Sequence, residues 1–410
     1  MAKPVTLTDA KHLPFWRRPV ALLILMACTM PIAFNGWSAL LNNFVIEAAN
    51  FDGADIGLLH TVREIPGFLA VGVIAVIIFV REQVLGLISL VMLGAATAVT
   101  AWFPSLGGLL FVTLFSSIGF HYYETVNQSL QLQWLPKDRA PQMLGWMVAA
   151  GSAATLVVYG LIVLTWDRFD LSYNLVFMLT GGTTVALAIF AMLAFPQFES
   201  PTPQTKKLIL RRRYWLYYAL QFMAGARRQI FIVFAGFMMV EKFGFDVHQL
   251  TGLYLINLVI NMLAAPLLGR AVGWFGERRT LIFEYAGLAT VFAAYGGIYW
   301  FGWGVALAAT LYVIDHVLFA LALALKTYFQ KIADPADIAP TAAVAFTINH
   351  IAAVFLPALL GLLWVVSPGA VFALAAFMAM VSFALALLIP RHPEPGNETV
   401  FAKFRPAAAE

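Results

Sequence analysis

Apolar blocks of about 20 residues or more recur along the whole chain, each long enough to cross a hydrocarbon layer of about 30 Å at about 1.5 Å of helix per residue. They fall near residues 19–42, 56–79, 84–103, 106–134, 142–166, 173–196, 214–240, 248–270, 279–301, 303–331, 339–364 and 368–390. Lipid offers no water to satisfy backbone N–H and C=O groups, so blocks of this kind are read as helices. The pattern predicts an all-α integral membrane protein of twelve spans. Composition agrees, with 61% hydrophobic and 11% charged residues, where a soluble domain carries about 25% charged. A water-soluble fold would leave that apolar surface exposed.

The first block, from Val20 to about Leu41, is longer than the roughly 7 to 15 apolar residues of a signal peptide, and is read as a retained helix. If twelve spans alternate, Lys11, Arg17, Arg18, Arg81, Lys137, Arg139, Lys206, Lys207, Arg211, Arg212, Arg213, Arg278, Arg279, Lys331, Arg391, Lys403 and Arg405 share one side. Glu47, Asp52, Asp55, Asp167, Asp170 and Asp246 lie on the other, with few bases, notably Arg168 and Lys242. The basic side is expected to be cytoplasmic, with both termini on it, in a plasma or bacterial inner membrane. The small net charge of +4 sits in the connecting segments and gives no reason to expect a nucleic-acid partner. A single cysteine, Cys28, excludes an intramolecular disulfide.

The polar run from Ser200 to Arg213 divides the blocks six and six. The expected organisation is an N-terminal segment 1–18, a first six-helix bundle 19–196, a central loop 197–213, a second bundle 214–390 and a tail 391–410. The tail, with Pro393, Pro395 and Pro406, has few apolar residues and is expected to be disordered.

Ionisable groups inside a bilayer cost a few kcal/mol or more and therefore turn toward partners or a watery cavity. His121 and Glu124 on span 4, Arg227 and Arg228 on span 7, Asp315 and His316 on span 10, and His350 on span 11 fall near mid-span, with Arg63 and Glu64 on span 2 shallower. Spans 3, 6, 9 and 12 read as free of interior charge and are expected to face lipid. His121, Glu124, Gln128 and Gln131 are spaced to share one helix face, as are Tyr254, Asn257 and Asn261. Arg228 rather than Arg227 shares a face with Gln221. Adjacent Arg63 and Glu64 point about 100° apart, so each is expected to need its own partner, either as a structural pair between helices or in a gate. His121 with Glu124, and Asp315 with His316, suit either interhelical hydrogen bonding or reversible protonation, and His350 suits either a core histidine or a ligand.

No P-loop, Gly-x-Ser-x-Gly elbow or zinc-type Cys/His spacing is present, so neither ATP-driven transport within this chain, nor an enzyme, nor a bound metal or other cofactor is expected; a transported metal ion stays open. Three interior bases against three acids, with three histidines besides, leave the cavity near neutral or slightly positive and favour an anionic or zwitterionic solute over a lipophilic cation.

Between spans 8 and 9, Gly269-Arg270-Ala271-Val272-Gly273-Trp274-Phe275-Gly276-Glu277-Arg278-Arg279 resembles the short loop motif of the major facilitator superfamily, with Gly273 at its Asp position and Trp274 at the following Arg. The degenerate counterpart runs from Gly72 to Arg81, with Val76 at the Asp position. With the six-plus-six plan, the resemblance covers nearly the whole chain. It implies two six-helix bundles that give alternating access to a midplane site. On that reading Glu124, Asp315 and His316 are expected to couple protons. Arg227, Arg228, His121, Gln128, Gln131, Asn257, Asn261, His350 and Asn35 would face a small-molecule solute, and Arg63, Glu64, Gly269, Gly276, Arg278 and Arg279 would gate. A monomer in the lipid bilayer is expected. Drug or metabolite efflux, and a non-transporting assembly or sensing protein on the same fold, stay open as alternatives.

Overall fold

The computed structural model describes residues 4–69, 72–77, 79–135, 140–199, 210–334 and 337–402. Among these residues the chain is helical, with only two isolated β-bridges besides. In order the helices are α1 (Pro19–Ala49), α2 (Gly53–Phe68), α3 (Gly72–Ile77), α4 (Glu82–Val99), α5 (Leu106–Trp134), α6 (Ala140–Thr165), α7 (Tyr173–Ala194) and α8 (Trp215–Ile230). They continue as α9 (Gly236–Glu241), α10 (Val247–Phe275), α11 (Glu277–Phe301), α12 (Val305–Ala320), α13 (Leu323–Ile332), α14 (Ile338–Val366) and α15 (Pro368–Ala386). Eleven segments of the described residues are long and apolar enough to cross a membrane. The chain is a multi-pass membrane protein of the expected all-α class.

The ends follow local chemistry. Ser105, Ser172 and Ser367 accept hydrogen bonds from the N–H groups of Gly108, Leu175 and Ala370, capping α5, α7 and α15. Asn50, at φ 54°, closes α1 in the left-handed conformation. Span 2 is not one helix over 56–79: α2 begins at Gly53 and ends at Phe68, soon after Pro66 has removed a backbone donor, and α3 resumes at Gly72. Residues 70, 71 and 78 of that block lie outside the described residues. Span 7 carries a π-helical turn, Phe231–Ala235, between α8 and α9.

The chain folds into two compact units: Met1–Phe51 with Val62–Thr205 and Phe245–Leu255, and Asp52–Thr61 with Lys206–Gly244 and Ile256–Glu410. In the first, Leu22, Met26, Leu87, Leu90, Tyr123, Val126 and Trp134 build an apolar core. α4 and α7 approach so closely that a Cβ on Gly181 would stand 2.3 Å from the Gly94 carbonyl oxygen. Val5 pairs with the segment after α7, donating to Gln197 O at 2.8 Å and accepting from Glu199 N at 3.0 Å. In the second unit Tyr214, Leu220, Leu281, Tyr285, Leu325, Tyr328, Ile332 and Ile389 form the corresponding core.

The tail differs from expectation over its described part, to Ala402. Tyr328 donates its hydroxyl proton to Glu398 O at 2.5 Å, Val400 N–H reaches Leu388 O at 2.9 Å, and Glu398 and Thr399 are buried. Backbone bonding to the end of span 12 holds this stretch where its own apolar content would not.

Candidate functional site

In the first unit, Asn35 on α1 donates to Thr155 Oγ1 at 2.8 Å and accepts from the Tyr159 hydroxyl at 3.1 Å, so its amide is tied to α6. On α5, His121 is buried and Glu124 about one-third exposed, with Nδ1 and Oε2 3.9 Å apart. Gln131 is half-buried and Gln128 exposed. On α2, the adjacent Arg63 and Glu64 contact each other. The long Arg63 side chain turns back to bring Nη2 within 2.6 Å of Glu64 Oε1, and Arg63 O accepts a hydrogen bond from Ser117 Oγ on α5.

The second unit holds the deepest charge. Arg227 on α8 is completely buried, its guanidinium 4.3 Å from the Tyr285 ring centroid and its Nε donating to Met223 O at 3.2 Å. Its neighbour Arg228 is exposed. Asp315 on α12 is also completely buried and within electrostatic reach of Arg227. Among the described residues neither Asp315 carboxylate oxygen has a hydrogen-bond partner, and neither does Arg227 Nη1. His316 packs 6.0 Å from Phe231, in the π-helical turn. Asn257 is buried; its Oδ1 and that of Asn261 lack partners among the described residues. His350 Nδ1 is 2.9 Å from Phe346 O.

One residue of this set escaped the sequence reading. Glu284, on α11, is 1% exposed and within electrostatic reach of Arg227, and its Oε2 has no hydrogen-bond partner among the described residues. Span 9 therefore carries an interior acid, which overturns its reading as an uncharged, lipid-facing helix. The interior balance becomes four acids against three bases. The signal was present in the sequence as a lone acid in an apolar run shortly after Arg278 and Arg279.

The Arg227 guanidinium turns back toward the start of α8, where Met223 O accepts from its Nε, and lies over the ring of Tyr285, the residue next to Glu284 on α11.

In the loop between α10 and α11, Gly276 adopts φ +75°, a conformation that glycine takes without strain. Gly269 lies within α10; Arg278 is half-buried and Arg279 exposed. The motif's acidic contact is absent at Gly273, yet Glu277, buried, forms an ion pair with Lys331 at 2.7 Å.

Bundled apolar helices with charge buried among them make a multi-pass membrane protein with polar groups in its interior. The family model of the Major Facilitator Superfamily matches residues 22–357, and the chain belongs to that family. Its fold is similar to that of a variant of the nucleoside transporter NupG (TM-score 0.74, 15% identity, covering 90% of this chain and 99% of that one). It is also similar to a bacterial homolog of the human lysosomal transporter Spinster (TM-score 0.70, 13% identity, 90% and 95% covered). A third similar structure is a POT family transporter in complex with a thioalcohol-conjugated peptide (TM-score 0.65, 14% identity, 90% and 94% covered). A comparison with curated protein sequences gives no match.

Proposed function

We propose that the chain is a proton-coupled secondary transporter that carries a small polar solute by alternating access, as a monomer in a cell membrane with both termini cytoplasmic. The observation that carries this reading is Asp315, an acid with no exposure, in the same unit as the equally buried Arg227. A carboxyl held so far from water is retained against a cost of several kcal/mol, and binding and releasing a proton is the work that such a group does best. Glu124 and His316 are its candidate partners in proton transfer. Arg228, His121, Gln128, Gln131, Asn257, Asn261, His350 and Asn35 supply hydrogen bonds to the solute. Arg63, Glu64, Gly269, Gly276, Arg278 and Arg279 belong to the gating segments. With Glu284 the interior carries four acids against three bases, so a neutral or zwitterionic solute fits better than an anion. Similarity of fold to a nucleoside transporter and to a POT family transporter in complex with a conjugated peptide supports a solute of that size class.

The test is uptake by the full chain in liposomes, with labelled nucleosides, dipeptides and amino acids, with and without an inward proton gradient. One class is expected to accumulate with the gradient, to lose that accumulation when a protonophore is added, and to lose it with Asp315→Asn. Uptake indifferent to the gradient would remove proton coupling from the reading.

A further inference from the structure

We infer that Asn35, Asn42 and Tyr159 build, within the first unit, a subsite for an uncharged, hydroxylated ring of the solute. The inference deepens the transporter reading above and rests on it for calling the ligand a solute.

The subsite is a frame held by contacts between three helices. Asn35 and Asn42 stand seven residues apart on α1, so they share one face over about 10 Å, with the half-buried Ser38 between them. Asn35 is fixed from α6: its amide nitrogen donates to Thr155 Oγ1 at 2.8 Å and its oxygen accepts from the Tyr159 hydroxyl at 3.1 Å. Thr155 in turn donates to Gly151 O at 3.0 Å, which sets the direction of the chain of bonds. The Tyr159 ring lies 5.9 Å from that of Tyr254, near the start of α10, and the Tyr254 hydroxyl is 3.5 Å from Asn42 Nδ2. All of these residues belong to the first unit. About 10 Å is the span of a single substituted ring.

The chemistry of the frame is neutral. α1 carries one charged residue, Glu47, which is bonded to Tyr173, and α6 carries none. On α10, Asp246 and His248 lie 2.8 Å from each other, and His248 is about 9 Å along the helix from Tyr254. An ammonium or carboxylate of the solute would find no counter-charge on α1 or α6. Hydroxyl groups suit the frame, since each is donor and acceptor at once. Asn42 is 5% exposed, and its Oδ1 has no hydrogen-bond partner among the described residues, so it calls for a donor. Tyr159 has given its proton to Asn35, which leaves its oxygen able to accept, and Asn35 has a second N–H beyond the one given to Thr155. A network that served only to join helices would close on itself; the buried Asn42 oxygen is where this one stays open. Aromatic rings beside a few placed polar atoms are the usual lining of a small-molecule site.

The measurement is equilibrium binding to the full chain in detergent, with no ion gradient, using labelled uridine, D-ribose and D-glucose against leucine and alanyl-alanine. At least one hydroxylated probe is expected to bind, and removal of the hydroxyl that meets Asn42 to weaken it about fivefold, as loss of one hydrogen bond does. In Asn42→Leu that deoxy analogue should bind as well as its parent. Tyr159→Phe, which releases the Asn35 amide, should weaken the parent several-fold. Uridine binding without ribose identifies a nucleoside, and binding of a free sugar identifies the sugar ring as sufficient; either supports the inference. Binding of leucine or the dipeptide in their place, binding of none of the probes, or deoxy penalties that all survive in Asn42→Leu would overturn it. If Asn42→Leu does not assemble, unchanged affinity in Tyr159→Phe does the same. A probe that binds as expected yet enters liposomes under no gradient would defeat the transporter reading and leave the subsite in place.

Discussion

Lys331, in the last turn of α13, reaches back with its ammonium to 2.7 Å from the carboxylate of Glu277, the first residue of α11. The lysine is half-exposed and the glutamate 4% exposed, so the pair is lopsided. A carboxylate at a helix start also gains from the N-terminal dipole. Removing the base should therefore hurt more than removing both partners. Lys331→Met is expected to lower stability by about 1–3 kcal/mol, and the double variant with Glu277→Gln to recover part of it. Thermal melting of the four members of the cycle in detergent measures this. Additive losses would mean that the two side chains do not interact.

Two adjacent glycines of α7 should behave oppositely. A Cβ on Gly181 would meet the Gly94 oxygen at 2.3 Å and Ala98 N at 2.4 Å, whereas a Cβ on Gly182 meets nothing within 4 Å. Gly181→Ala must push α7 from α4 and is expected to cost about 1–3 kcal/mol, as overpacked sites do. Gly182→Ala removes a flexible residue from a helix and is expected to be neutral or to stabilise by up to about 1 kcal/mol. Melting temperatures of the two variants against the wild type decide it.

The spans were legible because lipid dictates their length and composition together. α1 outruns its predicted end at residue 42 because Asn42, Asn43 and Glu47 are polar and drop out of any hydropathy count. The helix continues because Asn43 Nδ2 bonds Phe245 O at 2.6 Å and Glu47 accepts from the Tyr173 hydroxyl at 2.7 Å, contacts remote in sequence. Mid-span ionisable residues were visible for the same reason that the spans were, as interruptions in apolar runs. Their pairing was not. Helical spacing relates residues on one helix, while Arg227 meets Tyr285 from another, and Arg63 meets Glu64 only because its side chain bends back.

Tyr328 ties the tail to the second unit. It is 0% exposed, and its hydroxyl bond to Glu398 O crosses 70 residues of sequence. Tyr328→Phe keeps the ring in its apolar site and deletes this bond, leaving a buried carbonyl with one partner fewer, at about 1 kcal/mol. The tail should then open more often, and trypsin should cut after the exposed Arg391 several-fold faster than in the wild type. An unchanged cleavage rate would show that the Val400 to Leu388 backbone bond alone holds the segment.

Asp337, just ahead of α14, ties that helix to the base of span 7 and gives the fold an acid-sensitive joint. Its carboxylate accepts from Arg211 Nε at 2.5 Å and Nη2 at 3.0 Å, and from the Tyr214 hydroxyl at 3.0 Å. The Arg211 hydrogen bonds are the main reason that its pKa lies below the ordinary aspartate value, and the Tyr214 bond adds to them against the effect of burial. A carboxyl with a lower pKa folded than unfolded binds fewer protons when folded. Its contribution is therefore complete above the unfolded value of about 3.9 and is lost as pH falls through the lower folded value. Asp337→Asn should consequently destabilise the protein near pH 7, and the difference from wild type should shrink as the medium is acidified below about pH 4. Melting curves of both proteins over that range provide the measurement. A difference that stays constant down to the lowest pH would show that Asp337 acts as a neutral hydrogen-bonding group, and that its charge contributes nothing to the joint.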